Sequence, residues 1–456
     1  MLCVVGFTLG LFLMQDALWD TGEHANGLVE EMVAGLSVAW ALPFAPAVFG
    51  LVGLLMYRRP DSVVIHMDYL DKLVSFRVVS RGQNSEALLG TVANIRSTMA
   101  HRELFRYVIE VVTDLPIDLD PRDDLVHYVV PNDYVTSAGS LYKARALQYA
   151  VEVSELPDEA WIMHLDEESH LTESVVDGIQ RAVTEEETSG RLRIGQGAIL
   201  YLGNLDEHPF LSLADMLRTG DDFGRFHLQH RLGITIFGLH GSFILVRNDV
   251  EKQVGFDFGP EGSITEDAFW ALVEMKHGYR SRWVDGYIVE QAPSSALDFI
   301  KQRRRWFAGL IKVVRHAPVP IRWRILLGLS TLLWAISWVG LTYTYMNVIL
   351  GFYVPILVRS MGNFAFAVYA TQYVLGLRIN LADRAMAGRP TQRLTSACLY
   401  VVQVVLIPLF SILEGAGVVY ALFRPEKGFH VIDKNGALSR TAANNGSVTA
   451  LRKVVV

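Results

Sequence analysis

Three polar strings in the middle of the chain hold side chains suited to chemistry: Asp166-Glu167-Glu168, Thr265-Glu266-Asp267 and Gln302-Arg303-Arg304-Arg305-Trp306. The first ends the apolar run WIMHL. In extended chain, residues two apart share a face, so Asp166 and Glu168 can point the same way. Paired carboxylates at a strand end suit Mg2+ or Mn2+, hard cations that take oxygen ligands and bridge diphosphates. A solvated acidic turn accounts for the same residues. The second string opens the helix-like stretch AFWALVEMK after the glycine-rich residues 255–262. Thr265 fits a helix N-cap, and acids in a first turn stabilise the positive dipole end. The chemical reading makes one of the two carboxylates a general base that takes a proton from a hydroxyl. In the third string, Gln302, Arg305 and Trp306 share one helical face. A guanidinium with an amide can hold diphosphate oxygens, and an indole offers a flat surface for a sugar ring. A basic interfacial helix ahead of a membrane span explains the same string, and Arg303 and Arg304 suit that role under either reading.

Weaker signals surround these. Arg81 in Ser80-Arg81-Gly82 and Asp114 after Thr113 each end an apolar run, as contacts to a nucleotide base and ribose would, although an Asp there is also a common turn former. In His240-Gly241-Ser242-Phe243 the glycine lets an acceptor approach the backbone, while His240 suits a structural role as readily as a functional one. Gly195-Gln196-Gly197 has the same ambiguity.

The elements that must position these residues read as α/β. Residues 74–79, 107–112, 125–130 and 161–165 are rich in β-branched and aromatic side chains, as strands are. Leu88, Val92, Ile95 and Met99 recur at helical spacing between the first two, and residues 140–151 form a second helical stretch. Such alternation predicts a mostly parallel sheet with helices on both faces and ligands beyond the carboxyl ends of its strands.

The flanks are different. The chain has 456 residues, 51% of them hydrophobic, and a formal net charge of −7. No basic domain stands out, so nucleic acid is not expected as a partner. The two cysteines, Cys3 and Cys398, sit far apart in apolar stretches, which argues against a disulfide framework. A bilayer span needs about 20 mostly apolar residues. Residues 33–57 meet this, the first fourteen are apolar but short, and residues 325–358, 364–377 and 397–423 follow the central region. Arg58 and Arg59, with Arg378, Arg384, Arg389 and Arg393, place the central domain on the cytoplasmic side of a multi-pass protein. The expected division is 1–60 membrane, 61–320 catalytic with an interfacial helix, 321–423 membrane and 424–456 a polar tail. Glu414, inside the last apolar block, is a functional-site candidate by default, and an interhelical hydrogen bond or a position near a membrane face is the plainer and preferred reading.

The order of the motifs resembles the family 2 glycosyltransferases: a strand-end acid pair, then TED about a hundred residues on, then QxxRW about 35 further before membrane helices. The strings VVSRG, IEVVTD, YKARALQYAVE, HLDEESHLTE, GQGAILY, FGLHGSF, FDFGPEGSITEDAFWA and QRRRWFAGL are similar to egghead-type β-1,4-mannosyltransferases over residues 73–310. That resemblance implies a GT-A (Rossmann-like) glycosyltransferase domain flanked by transmembrane helices. It implies an inverting hexosyl transfer from a nucleotide-sugar, GDP-mannose by preference and a UDP-sugar otherwise, to a lipid-linked or glycolipid acceptor. It also implies roles: Arg81 and Asp114 on the nucleotide, Lys143 near the donor, and Asp166 and Glu168 on the Mg2+ or Mn2+ and diphosphate. Asp267 would be the base with Glu266 beside it, and Gln302, Arg305 and Trp306 would hold the diphosphate and acceptor end. The acid motif is DEE and departs from a strict DxD, which leaves Glu168 less secure as a ligand than Asp166. A processive polysaccharide synthase, or a scaffold or transporter with a silent sugar-binding domain, would reuse the same layout.

Overall fold

The computed structural model describes residues 2–18, 27, 28, 31, 32, 35, 37–58, 69–201, 203–350 and 354–424. Arg59, the start of the central domain up to residue 68 and the expected tail beyond residue 424 lie outside them. The centre of the fold is an 8-stranded sheet in the order β3-β2-β1-β4-β7-β6-β8-β5. Its strands are β1 (Leu70–Ser80), β2 (Phe105–Thr113), β3 (Leu125–Val129), β4 (Trp161–Asp166), β5 (His170–Leu171), β6 (Ile194–Leu200), β7 (Ile244–Arg247) and β8 (Ser281–Val289). The four strands expected from sequence, β1 to β4, form the parallel half. The other half departs from that pattern, because β7 runs antiparallel to both β4 and β6 and β5 runs antiparallel to β8.

β1 is central because residues 74–80 are buried on both faces. Such a strand reads as a nearly unbroken apolar run, and Phe76 alone contributes roughly 1.5–3 kcal/mol by its burial. Its exception is Arg77, fully buried between Glu110 of β2 and Glu251, whose other oxygen is 2.9 Å from His164 Nε2 on β4. Helices α3 (Ser85–His101), α4 (Tyr142–Val153) and α5 (Glu173–Ser189) cover the sheet. Asn84 caps α3 through Ala87 N at 3.3 Å and Thr172 caps α5 through Val175 N at 3.4 Å.

The apolar flanks are helices docked onto this domain. They are α1 (Leu2–Leu18), α2 (Phe44–Met56) and, after α6 (Pro209–Asp221), α7 (Glu266–Lys276) and α8 (Ala296–His316), the long helices α9 (Ile321–Leu350), α10 (Ile356–Met386) and α11 (Arg393–Phe423). Among the described residues three stretches are long and apolar enough to cross a membrane: Val38–Met56, Ile321–Gly340 and Arg393–Phe423. The apolar part of α1, Cys3–Gln15, is shorter. The expected span 325–358 is one helix followed by the start of the next. The expected span 364–377 is corrected: it lies in α10, which falls short on hydropathy and buries Asn363, Thr371, Gln372 and Asn380. Asn380 faces the domain, its Oδ1 accepting from Tyr201 N at 2.9 Å, whereas Thr371 Oγ1 lies 2.8 Å from Thr8 Oγ1 of α1. Glycines permit the close docking, since a Cβ on Gly53 of α2 would collide with the Gly224 carbonyl and one on Gly376 of α10 with the Met216 carbonyl.

Candidate active site

β1, β2 and β4 end at Ser80, Thr113 and Asp166, and the loops beyond them open on a cavity of about 450 Å³. Arg81, Asp114, Lys143, Asp166, Glu168, His240, Gly241, Ser242, Glu266, Asp267, Gln302, Arg305 and Trp306 line it, whereas Gly195-Gln196-Gly197 does not. The cavity continues between the long helices, past Trp334 and Trp338 of α9, Tyr369 and Tyr373 of α10 and Glu414 of α11.

Lys143, in the first turn of α4, is the hub. Its Nζ donates to Asp166 Oδ1 and, at 2.8 Å, to the carbonyl of Gly241, and lies 3.6 Å from Glu266 Oε1. Burial lowers the Lys143 pKa, but Asp166 and Glu266 raise it by more, so the ammonium keeps its charge. The two non-glycine residues with positive φ among the described residues flank this hub: Tyr142 at 54° before Lys143 and Phe243 at 60° after Ser242. Each such conformation costs about 1–3 kcal/mol and persists where surrounding structure dictates it.

A glycine-rich loop joins the Lys143 helix to the helix of the acid pair. Gly255 and Gly259 take φ of 63° and 72°, conformations glycine adopts freely. Ser140 Oγ donates to Phe256 O at 3.2 Å, and Ser263 Oγ accepts from Leu141 N at 2.9 Å. α7 therefore begins beside α4, with Glu266 buried and Asp267 half-buried. Burial raises both carboxyl pKa values, and Lys143 opposes this without cancelling it. Asp267 Oδ1 accepts from Ala268 N at 2.7 Å, and a Cβ built on Gly241 would lie 3.3 Å from Asp267 Oδ2. Thr265 stands at the N-cap position, but its side chain makes no capping bond, which corrects the capping expectation.

His240 is tied down on both sides. Its backbone pairs with Gln196, and its Nε2 donates to Asp222 Oδ1 at 2.6 Å. Asp222 opens a π-helical turn (Asp222–Phe226), a local distortion frequent at functional sites. Sequence reasoning passed over Asp222 and also Glu290, which follows β8 and lines the cavity. The strand-end rule applied to Asp166 would have found Glu290.

Gln302, Arg305 and Trp306 present α8 to the cavity, and Ser295 caps that helix through Asp298 N at 3.1 Å. The guanidiniums of Arg218 and Arg303 lie 4.6 and 4.7 Å from the centre of the Trp306 ring. Arg303 is a correction to the interfacial reading. It is fully buried, bonded to Asp215 and to Glu414, and donates to Gln302 Oε1. Glu414 is accordingly half of an interhelical bond, the first form of the plainer reading given to it. Arg304 stays near the surface, 4.3 Å from the Tyr420 ring centre.

Asp166 and Glu168 bring oxygen donors to the cavity wall. Among the described residues no cluster of three or more His, Cys, Asp or Glu is assembled to hold an ion alone. Two carboxylates with substrate phosphates completing the shell is the donor set Mg2+ or Mn2+ takes in such sites, so these residues fit the cation.

The chain is similar to known proteins. The model of glycosyl transferase family group 2 matches residues 161–379. The β-1,4-mannosyltransferase egh of Drosophila melanogaster is 32% identical over 403 residues, covering 86% of this chain and 85% of that protein. The chain belongs to the family 2 glycosyltransferases. This glycosyltransferase is a hexosyltransferase, with a further relative in the β-1,4-mannosyltransferase bre-3 of Caenorhabditis elegans, 31% identical over 84% of each chain. Among solved structures it is similar, at 15% identity and a TM-score of 0.48, to a mannosyltransferase from Pyrobaculum calidifontis in complex with GDP-Man and Mn2+. That match covers 88% of this chain and 100% of the other.

Proposed function

We propose that this hexosyltransferase moves mannose from GDP-mannose, in β-linkage, to the sugar of a glycolipid at the membrane surface. The observation that carries the reading is the single cavity joining the Lys143, Asp166, Glu266 and Asp267 cluster to the faces of the long apolar helices. The names of the relatives support mannose and the linkage. In this reading residues 61–320 are a cytoplasmic catalytic unit between membrane segments at 1–60 and 321–423. A donor lies with its nucleoside toward Arg81 and Asp114 and its diphosphate toward Lys143, Gln302 and Arg305. Mg2+ or Mn2+ on Asp166 and Glu168 would offset charge on the departing nucleoside diphosphate.

The chain's own groups do the rest. Asp267 takes the acceptor hydroxyl proton on Oδ2 while Ala268 N holds its other oxygen. The hydroxyl oxygen forms a bond to the anomeric carbon as the bond to the phosphate oxygen breaks on the opposite side, inverting α to β. The leaving electron pair goes to the diphosphate, which Lys143 and Arg305 stabilise. The enclosed site strengthens these charges relative to water.

The test is purified protein with a glucosyl lipid, Mn2+ or Mg2+, and a panel of GDP- and UDP-sugars, reading product mass. One hexose added from GDP-mannose is the expected result. A ladder of products from a UDP-sugar would replace the reading with a processive synthase.

A further inference from the structure

Glu290 stands just past β8, 5% exposed, with its backbone fixed by a bond from its N to Leu200 O at 2.8 Å. Its Oε1 accepts from Ser169 Oγ at 3.0 Å and from Ser242 Oγ. Ser169 Oγ accepts in turn from Asp166 N at 3.2 Å. Next to Ser242, the Gly241 carbonyl accepts from Lys143 Nζ at 2.8 Å, and Lys143 also donates to Asp166. The bonds close a ring through Asp166, Ser169, Glu290, Ser242, Gly241 and Lys143.

We propose that Glu290 is a positioning residue for the transfer, setting Asp166 and Lys143 against each other by holding the two serines on one carboxylate oxygen. β4 pairs with β7 up to His164 and Ile244, and β5 pairs with β8 at His170 and Val289, so Glu290 fastens the side chains of two loops that begin where these ladders stop. The segment 241–243 needs such a tie because Phe243 has a φ of 60°. A carboxylate oxygen has lone pairs for two donors, and each serine has a single proton to give. The proposal rests on the reading of Asp166 and Lys143 as the diphosphate end of the site.

The experiment is steady-state kinetics with GDP-mannose and a glucosyl lipid on Glu290→Ala, Glu290→Gln, Ser169→Ala/Ser242→Ala and the triple variant. Glu290→Ala should lower kcat about 10- to 100-fold and raise the donor KM with the acceptor KM unmoved, since a displacement near 1 Å costs up to about 100-fold. A fold defect would reduce the active fraction without changing a KM. Glu290→Gln keeps the accepting oxygen and should recover most of the loss. The double serine variant should reproduce Glu290→Ala, and the triple variant should lose little more, because residues of one network are non-additive. Full activity in the double serine variant, or losses that add in the triple, overturns the proposal, and the first outcome decides even if Glu290→Ala does not fold. A wild type that uses a UDP-sugar instead refutes the donor assignment alone, and the same comparison then runs on that donor.

Discussion

Arg303 Nε lies 2.8 Å from Glu414 Oε1, fastening the helix that presents Gln302, Arg305 and Trp306 to the last apolar helix. The same guanidinium bonds Asp215, as completely buried as Arg303 itself. Removing one member of a buried ionic group leaves charge without compensation and costs about 3–5 kcal/mol. Arg303→Met should therefore lower the thermal unfolding midpoint in detergent sharply. Glu414→Gln, which keeps a hydrogen-bond acceptor, should lower it much less. Equal midpoints for Arg303→Met and wild type would show that the group holds nothing together.

Asp267→Asn should cut kcat about 10²- to 10⁴-fold, the usual span for losing a general base, with the donor KM nearly unchanged. Burial also raises the Asp267 and Glu266 pKa values. A base must be unprotonated, so kcat should decline as pH falls and begin to do so above the ordinary carboxylate range. A pH profile flat down to that range would remove Asp267 from the role.

Gly241→Ala tests how closely the hub is packed. The new Cβ would lie 3.1 Å from Lys143 Nζ and 3.3 Å from Asp267 Oδ2, so both groups must yield by a few tenths of an ångström. A drop of about tenfold in kcat/KM is expected, a modest share of what a full displacement costs, with the unfolding midpoint unmoved. Unaltered kinetics would mean the cluster tolerates that shift.

What could be read from the chain follows the range of the interactions. The parallel half of the sheet and the loops bearing Asp114 and Asp166 follow from β-branched runs and the polar residues that end them, both local signals. β7 is four residues long, too short to announce its antiparallel place between β4 and β6. Arg303 in a basic run looks solvated, and its burial depends on Asp215 and Glu414, 88 and 111 residues away. Glu290 stands at a strand end as Asp166 does, but its partners Ser169 and Ser242, 121 and 48 residues distant, carry no local signal. Gln302, Arg305 and Trp306 needed only helical spacing to be placed on one face.

Glu274 gives a stability test apart from the chemistry. It lies two turns beyond the acid pair on α7, buried, with Thr235 Oγ1 donating to its Oε1 at 2.7 Å. Burial raises its pKa from an ordinary 4.5 to about 8, against the opposing Thr235 bond. The folded protein therefore holds a proton there that the unfolded chain releases near 4.5. Where the native state binds more protons than the unfolded one, stability falls as pH rises. The contribution is complete below about 4.5 and is lost as pH climbs toward about 8. Glu274→Gln keeps the neutral shape and should flatten the slope of unfolding midpoint against pH over that window. It should leave the midpoint at the acid end near wild type and raise it at the alkaline end. Parallel slopes for the two proteins would mean that Glu274 is ionised in the fold.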